Sequence, residues 1–106
     1  MMTKPDVLLG KMVRHILLIK LKPGTSEEQV DALRDALAGI QFERRRNHVF
    51  AHDLGLREGN ADIAIMADFD NEDDYNEWSE FPPHDRVRKE LLEPIAERRE
   101  RCQIEI

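Results

Sequence analysis

Residues Met12 to Lys22 alternate in two ways at once. Val13, His15, Leu17, Ile19 and Leu21 fall on one side of an extended chain; Met12, Arg14, Ile16, Leu18, Lys20 and Lys22 fall on the other. The first row is apolar except for one imidazole. The second has an apolar middle between charged ends. A strand with both faces covered at its centre belongs inside a sheet, so the rest of the chain must supply neighbouring strands and a covering layer. Pro23-Gly24 then reads as a turn and Thr25-Ser26 as a helix start. His15 stands alone in the oily row, and any functional reading begins with it.

The following segments supply the layer and the neighbours. Ser26 with Gln29, or Thr25 with Glu28, offers a reciprocal cap, and Glu27, Glu28 and Asp31 place negative charge where a helix dipole favours it. Val30, Leu33, Leu37 and Ile40 recur at steps of three and four, which predicts an amphipathic helix over about residues 26–39, stopped near Gly39. Residues 48–57 alternate and read as a strand. Glu58-Gly59-Asn60 reads as a turn, and residues 61–69 as a second strand paired with the first in a hairpin. Asp70 or Asn71 can cap a further helix with Glu72, Asp73 and Asp74 in its first turn, and Tyr75 and Trp78 on its inner face. Phe81-Pro82-Pro83-His84 interrupts it, and a new helix runs from Pro83 to about Leu92. Residues 99–106 form the last strand.

The order β-α-β-β-α-β is that of a ferredoxin-like α+β protomer: a four-stranded antiparallel sheet with its helices on one face. A chain of 106 residues has enough surface to bury for one domain, here residues 12–106, with residues 1–11 as a flexible N-terminal extension. Ile16, Leu18, Ala64 and Met66 are left on the helix-free face. Pairing that face with a second copy of the chain, as a homodimer, is the simplest way to bury it.

Charge and composition exclude some functions. A net charge of −6 gives no electrostatic case for nucleic acid or an anionic membrane. Arg44-Arg45-Arg46 is short and reads as a solvated loop. The lone Cys102 excludes an internal disulfide, fits a reducing compartment and reads as a small apolar residue. No apolar run approaches the ~18 residues of a membrane span, and the N-terminus lacks a signal-peptide pattern, so the expected location is cytoplasmic. His48 and His52 are four apart, but on a strand that spacing is roughly 13 Å, too far to share an ion. Glu72-Asp73-Asp74 is accounted for by the helix start. No metal or cofactor is expected.

Three stretches together resemble the stress-responsive dimeric α/β-barrel (Dabb) family. They are Val13 to Lys22 with its Pro-Gly-Thr-Ser-Glu-Glu continuation, Ala61 to Asp70, and Trp78-Ser79-Glu80-Phe81-Pro82-Pro83-His84 with Val87, Leu91, Leu92 and Pro94 after it. The resemblance covers about residues 12–106 and implies a dimer whose two sheets face each other as an α+β barrel. Function within the family is less uniform than fold. Many members are stress-associated without an assigned activity, and one plant branch is a polyketide cyclase that closes a ring by an aldol step. By that resemblance His15 and His84 occupy the positions of two catalytic histidines. Trp78 stands where the branch has a tyrosine, and Gln103 falls near the position of an aspartate that orients one histidine.

An imidazole titrates close to neutral pH, so His15 and His84 could serve as acid and base. Trp78, Tyr75 and Gln103 are the expected ligand-binding residues: Gln103 could fix a tautomer, and Trp78 could wall an apolar pocket. The competing role for the two histidines is a structural hydrogen bond between strand and helix. The expected function is a small dimer with a histidine-bearing pocket for a small organic ligand. The alternative is a cyclase-like enzyme. A haem-degrading monooxygenase shares the barrel and uses Asn, Trp and His, but no asparagine occurs in residues 12–22.

Overall fold

The computed structural model describes residues 11–106, so residues 1–10 of the expected extension lie outside the described residues. The elements are β1 (Val13–Leu21), α1 (Glu27–Ala38), β2 (Arg46–His52), β3 (Ile63–Phe69), α2 (Glu72–Glu80), α3 (Pro82–Val87) and β4 (Ala96–Glu105). A π-helical turn, Arg88–Leu92, continues α3. The sheet order is β2-β3-β1-β4, antiparallel throughout. This is the ferredoxin-like arrangement, with β1 and β3 central.

Local chemistry accounts for the element ends. Gly24 has φ +84°, which only glycine adopts freely, and Thr25 N–H closes the turn on the Lys22 carbonyl. Ser26 caps α1 with a reciprocal Gln29 contact; of the two caps open in the sequence, this is the one formed. Asn71 caps α2. Pro82 and Pro83 open α3, where their missing N–H groups cost nothing.

The helix-facing row of β1 and β3 makes the core with α1. Ile19, Leu33, Ile63 and Phe69 are fully buried, joined by Val30, Leu37, Trp78, Leu92 and Ile95. The opposite face carries no helix. There Leu18 is 42% exposed and Ile104 43%, beside the partly covered Ile16, Ala64 and Met66. Polar contacts flank these apolar residues: Arg14 donates two hydrogen bonds to Asp68 (2.8 and 3.0 Å), Asn47 donates a third (2.8 Å), and Lys20 pairs with Asp62. The Arg14 guanidinium holds the Asp68 carboxyl below its ordinary range, with Asn47 adding to the effect against the opposing cost of burial.

Three sequence expectations need correction. The strand expected over residues 48–57 runs from Arg46 to His52 instead, and Leu54 and Leu56, which continued its alternation, are exposed in the following loop. Asp53 N–H still donates across to the Asp62 carbonyl, and the Asp53 carboxylate then accepts from Gly55 N–H and from Asn60, closing a local turn just beyond the strand. At its other end β2 is bulged. Arg46 pairs with Asp68 and Val49 with Met66, leaving one extra residue, and Asn47 takes φ +50°.

Secondly, Arg44 and Arg45 lie in the loop before β2 as expected, but the run is not merely solvated. Arg45 donates to the Leu37 and Ile40 carbonyls, and Arg44 pairs with Asp74 and Glu77. Arg46 pairs with Asp70. Finally, the last strand begins at Ala96 and not at Arg99, because it follows β1 along nearly its whole length, as far as Leu21 opposite Ala96.

Candidate active site between sheet and helices

His15 lies mid-strand on the helix-facing row of β1, between Ala67 of β3 and Gln103 of β4. The antiparallel register places Gln103 directly opposite it, and the Gln103 amide donates to His15 Nδ1 at 3.0 Å. A ring nitrogen that accepts carries no proton. The neutral His15 therefore holds its proton on Nε2 and presents an N–H donor there.

His84 is in the first turn of α3, behind the two prolines. Its Nδ1–H donates to the Trp78 carbonyl at 3.0 Å, and its ring stacks on the Trp78 indole with centroids 4.2 Å apart. The Nδ1 proton leaves Nε2 of His84 as a lone pair. The two imidazoles are thus held in opposite tautomers, one presenting a donor and the other a base. Among the described residues they do not hydrogen-bond each other, so the strand-to-helix histidine bond is not formed.

Both rings line the same space. An inner cavity of about 30 Å³ is bounded by His15, His84, His48, Leu33, Leu37 and Trp78, among others. An outer cavity of about 40 Å³ shares His15, His84 and Trp78 and opens past Tyr75, Arg88, Arg99 and Arg101. Each has room for about one to three waters. Tyr75, 5.1 Å from the His15 ring, separates this space from a wider cleft of about 260 Å³ that Gln103 also lines. All five residues singled out in the sequence, His15, His84, Trp78, Tyr75 and Gln103, therefore border connected or adjacent space.

Sequence reasoning missed four others. His48 is turned toward the inner cavity, and its buried ring nitrogens have no partner among the described residues. Arg88, Arg99 and Arg101 border the mouth. For Arg99 and Arg101 a signal existed: they share the alternate row of β4 that contains Gln103. Among the described residues no group of three or more His, Cys, Asp or Glu is placed to hold a metal ion.

The electrostatics keep both rings neutral. Burial lowers the His15 pKa to about 4, with His84 and Arg101 adding to the effect. Burial also lowers that of His84, opposed by its bond to the Trp78 carbonyl and reinforced by Arg88 and Arg45. A lowered histidine pKa means that the unfolded chain takes up a proton where the folded chain does not. Stability contributed by neutral His15 is then present above about pH 6.5 and is lost as pH falls toward 4. Allowing for the partial exposure of the ring, the expected loss is about 1–2 kcal/mol. Urea unfolding of wild type and His15→Gln at pH 4.5 and 7 checks this; the variant should lose less stability on acidification.

A two-layer α+β protein with a histidine-lined cavity between sheet and helices is the class that fold and site define. The family model of the stress responsive A/B barrel domain (Dabb) matches residues 13–105, and the chain belongs to that family. Solved structures agree. A dimeric ferredoxin-like protein of unknown function from Thermobifida fusca is 29% identical, covers 92% of each chain and superposes with a TM-score of 0.83. The hydroxynitrile lyase of Passiflora edulis is 22% identical over 92% of this chain and 94% of its own, with a TM-score of 0.82. A Dabb family protein from Mesorhizobium loti is 13% identical over 89% and 95%, with a TM-score of 0.72. No curated protein matches the chain. No helix among the described residues is long and apolar enough to cross a membrane.

Proposed function

We propose that this protein binds a small carbonyl compound between its sheet and helices and moves a proton on it, with His84 as base and His15 as donor. The observation that carries this reading is the pair of opposite tautomers bordering one cavity. Bond making or breaking beside a carbonyl needs both halves. A base removes a proton from an α-carbon or a hydroxyl, and a donor stabilises the oxyanion or receives the leaving anion. Aldol closure and cyanohydrin cleavage share this demand, and the hydroxynitrile lyase among the structural relatives is in keeping with it.

The cavity volumes favour a small substrate. At about 30 and 40 Å³ they do not hold a linear polyketide, and still less a haem. The test is exchange of α-hydrogens for deuterium in a panel of small ketones and aldehydes. Exchange above the buffer rate, lost on His84→Asn, supports the assignment. Exchange at the buffer rate across the panel would leave a binding role only.

The working form is a homodimer joined through the helix-free sheet face, as the dimeric description of its structural relatives and the exposed Leu18 and Ile104 suggest. A particle of about 25 kDa is then expected in sedimentation, twice the 12.4 kDa chain. Leu18→Asp should split or unfold it, because an unpaired charge in that interface costs several kcal/mol. A wild-type chain that sediments as a monomer at micromolar concentration would refute this assembly.

A further inference from the structure

The charge at the cavity mouth runs against the charge of the chain. In a protein of net charge −6, three guanidinium groups, Arg88, Arg99 and Arg101, border an opening that leads to His15 and His84. The fold explains how they come together. β4 is an edge strand, and its register sets Arg99 beside Ile19, Arg101 beside Leu17 and Gln103 beside His15. The helix-facing row of β4 therefore runs as two cations and then the amide that orients His15. Arg88 enters from the opposite side, on the π-helical turn that follows α3.

Two of the three charges are already matched. Arg88 pairs with Asp85, and Arg99 lies 3.6 Å from Glu93. Arg101 has no carboxylate partner among the described residues, although carboxylates outnumber cations in this chain. We propose that Arg101 binds the carboxylate of a small monoanionic substrate whose carbonyl end reaches His15 and His84. This rests on the preceding reading of the cavity and adds the substrate's charge. One unmatched guanidinium suits a single negative charge. A phosphate monoester carries close to two at neutral pH and is less well matched. A planar guanidinium also fits a carboxylate through two parallel hydrogen bonds.

The test uses the intact protein, with the His15 and His84 ring resonances followed by NMR. Acetate, acetamide and inorganic phosphate are the probes. Acetate should shift the His15 signals and raise the pH at which that ring titrates, since it offsets the cation beside it. The neutral isostere acetamide should need about tenfold more to give an equal shift, and Arg101→Gln should weaken acetate by about the same factor while leaving acetamide unchanged. Arg101 lies on an exposed edge strand, and an unchanged amide spectrum confirms that the variant is folded. Equal response to acetate and acetamide, or no effect of Arg101→Gln on acetate, would overturn the proposal while leaving the cavity reading intact. Phosphate binding more tightly than acetate would overturn the monoanion assignment. Silence of both rings toward every probe would overturn the cavity reading, and this one with it.

Discussion

Leu33→Ala is expected to lower the unfolding free energy by about 2–5 kcal/mol, toward the upper end of that range. Leu33 is fully buried at the centre of α1, within the core cluster that includes Val30, Leu37, Ile19 and Ile63. The substitution removes its contacts with that cluster and leaves a hole that the stiff β-branched neighbours cannot fill. A domain of this size has only about 5–15 kcal/mol in hand. The change should therefore move the melting temperature by well over 10 °C, at about 4–8 °C per kcal/mol. A urea midpoint that does not move would mean that α1 presents another face to the sheet. The same change should also enlarge the inner cavity, which Leu33 borders with His15 and His48. Ligand affinity and stability should then change together in this variant.

The core was legible because its signals are local. The double alternation of β1 and the 30, 33, 37, 40 spacing of α1 both follow from the geometry of a single element, and so do the Ser26 and Asn71 caps. The end of β2 was not legible, because Leu54 and Leu56 keep the strand period while the Asp53 carboxylate closes a turn on Gly55 just after the strand. Period alone does not register a side chain that competes for backbone hydrogen bonds. The bulge at Asn47 was hidden for a different reason. It is set by the pairing of Arg46 and Val49 with β3, and it seats Asn47 on Asp68, distant in sequence.

The site divides in the same way. His15 was visible as the one polar residue in an apolar row. His84 and Gln103 were drawn in by family resemblance. His48 and the arginines of the mouth depend on which strand lies beside which. Arg45 is the clearest case. It reads as part of a charge run, yet it is held by two α1-end carbonyls with its guanidinium 4.8 Å from the centre of the Trp78 ring, the same indole that stacks on His84.

The second large effect concerns the two histidines, and the tautomers make it asymmetric. His84→Asn should reduce turnover by about 10²–10⁴-fold, the usual contribution of a positioned general base. The asparagine amide can still donate to the Trp78 carbonyl, as His84 Nδ1 does, so little stability is lost through that bond. It has no lone pair of useful basicity at the position of Nε2. His15→Gln is expected to be milder, because the glutamine amide can reach the place of Nε2–H and still donate. Alanine at either position removes both features; at His84 it adds about 1–3 kcal/mol of instability, since the part-buried Trp78 carbonyl is left without its partner, whereas the exposed Gln103 amide turns to water when His15 is lost. The pH profile follows from the same assignment. Burial holds the pKa of His84 below the ordinary histidine value, so the base is already free at neutral pH. Activity should rise through an acid limb below pH 6.5 and stay level above it. His84→Asn should abolish that limb along with the rate. If His15→Gln proved as damaging as His84→Asn, with both proteins folded, the roles of donor and base would have to be exchanged or the acid–base reading abandoned.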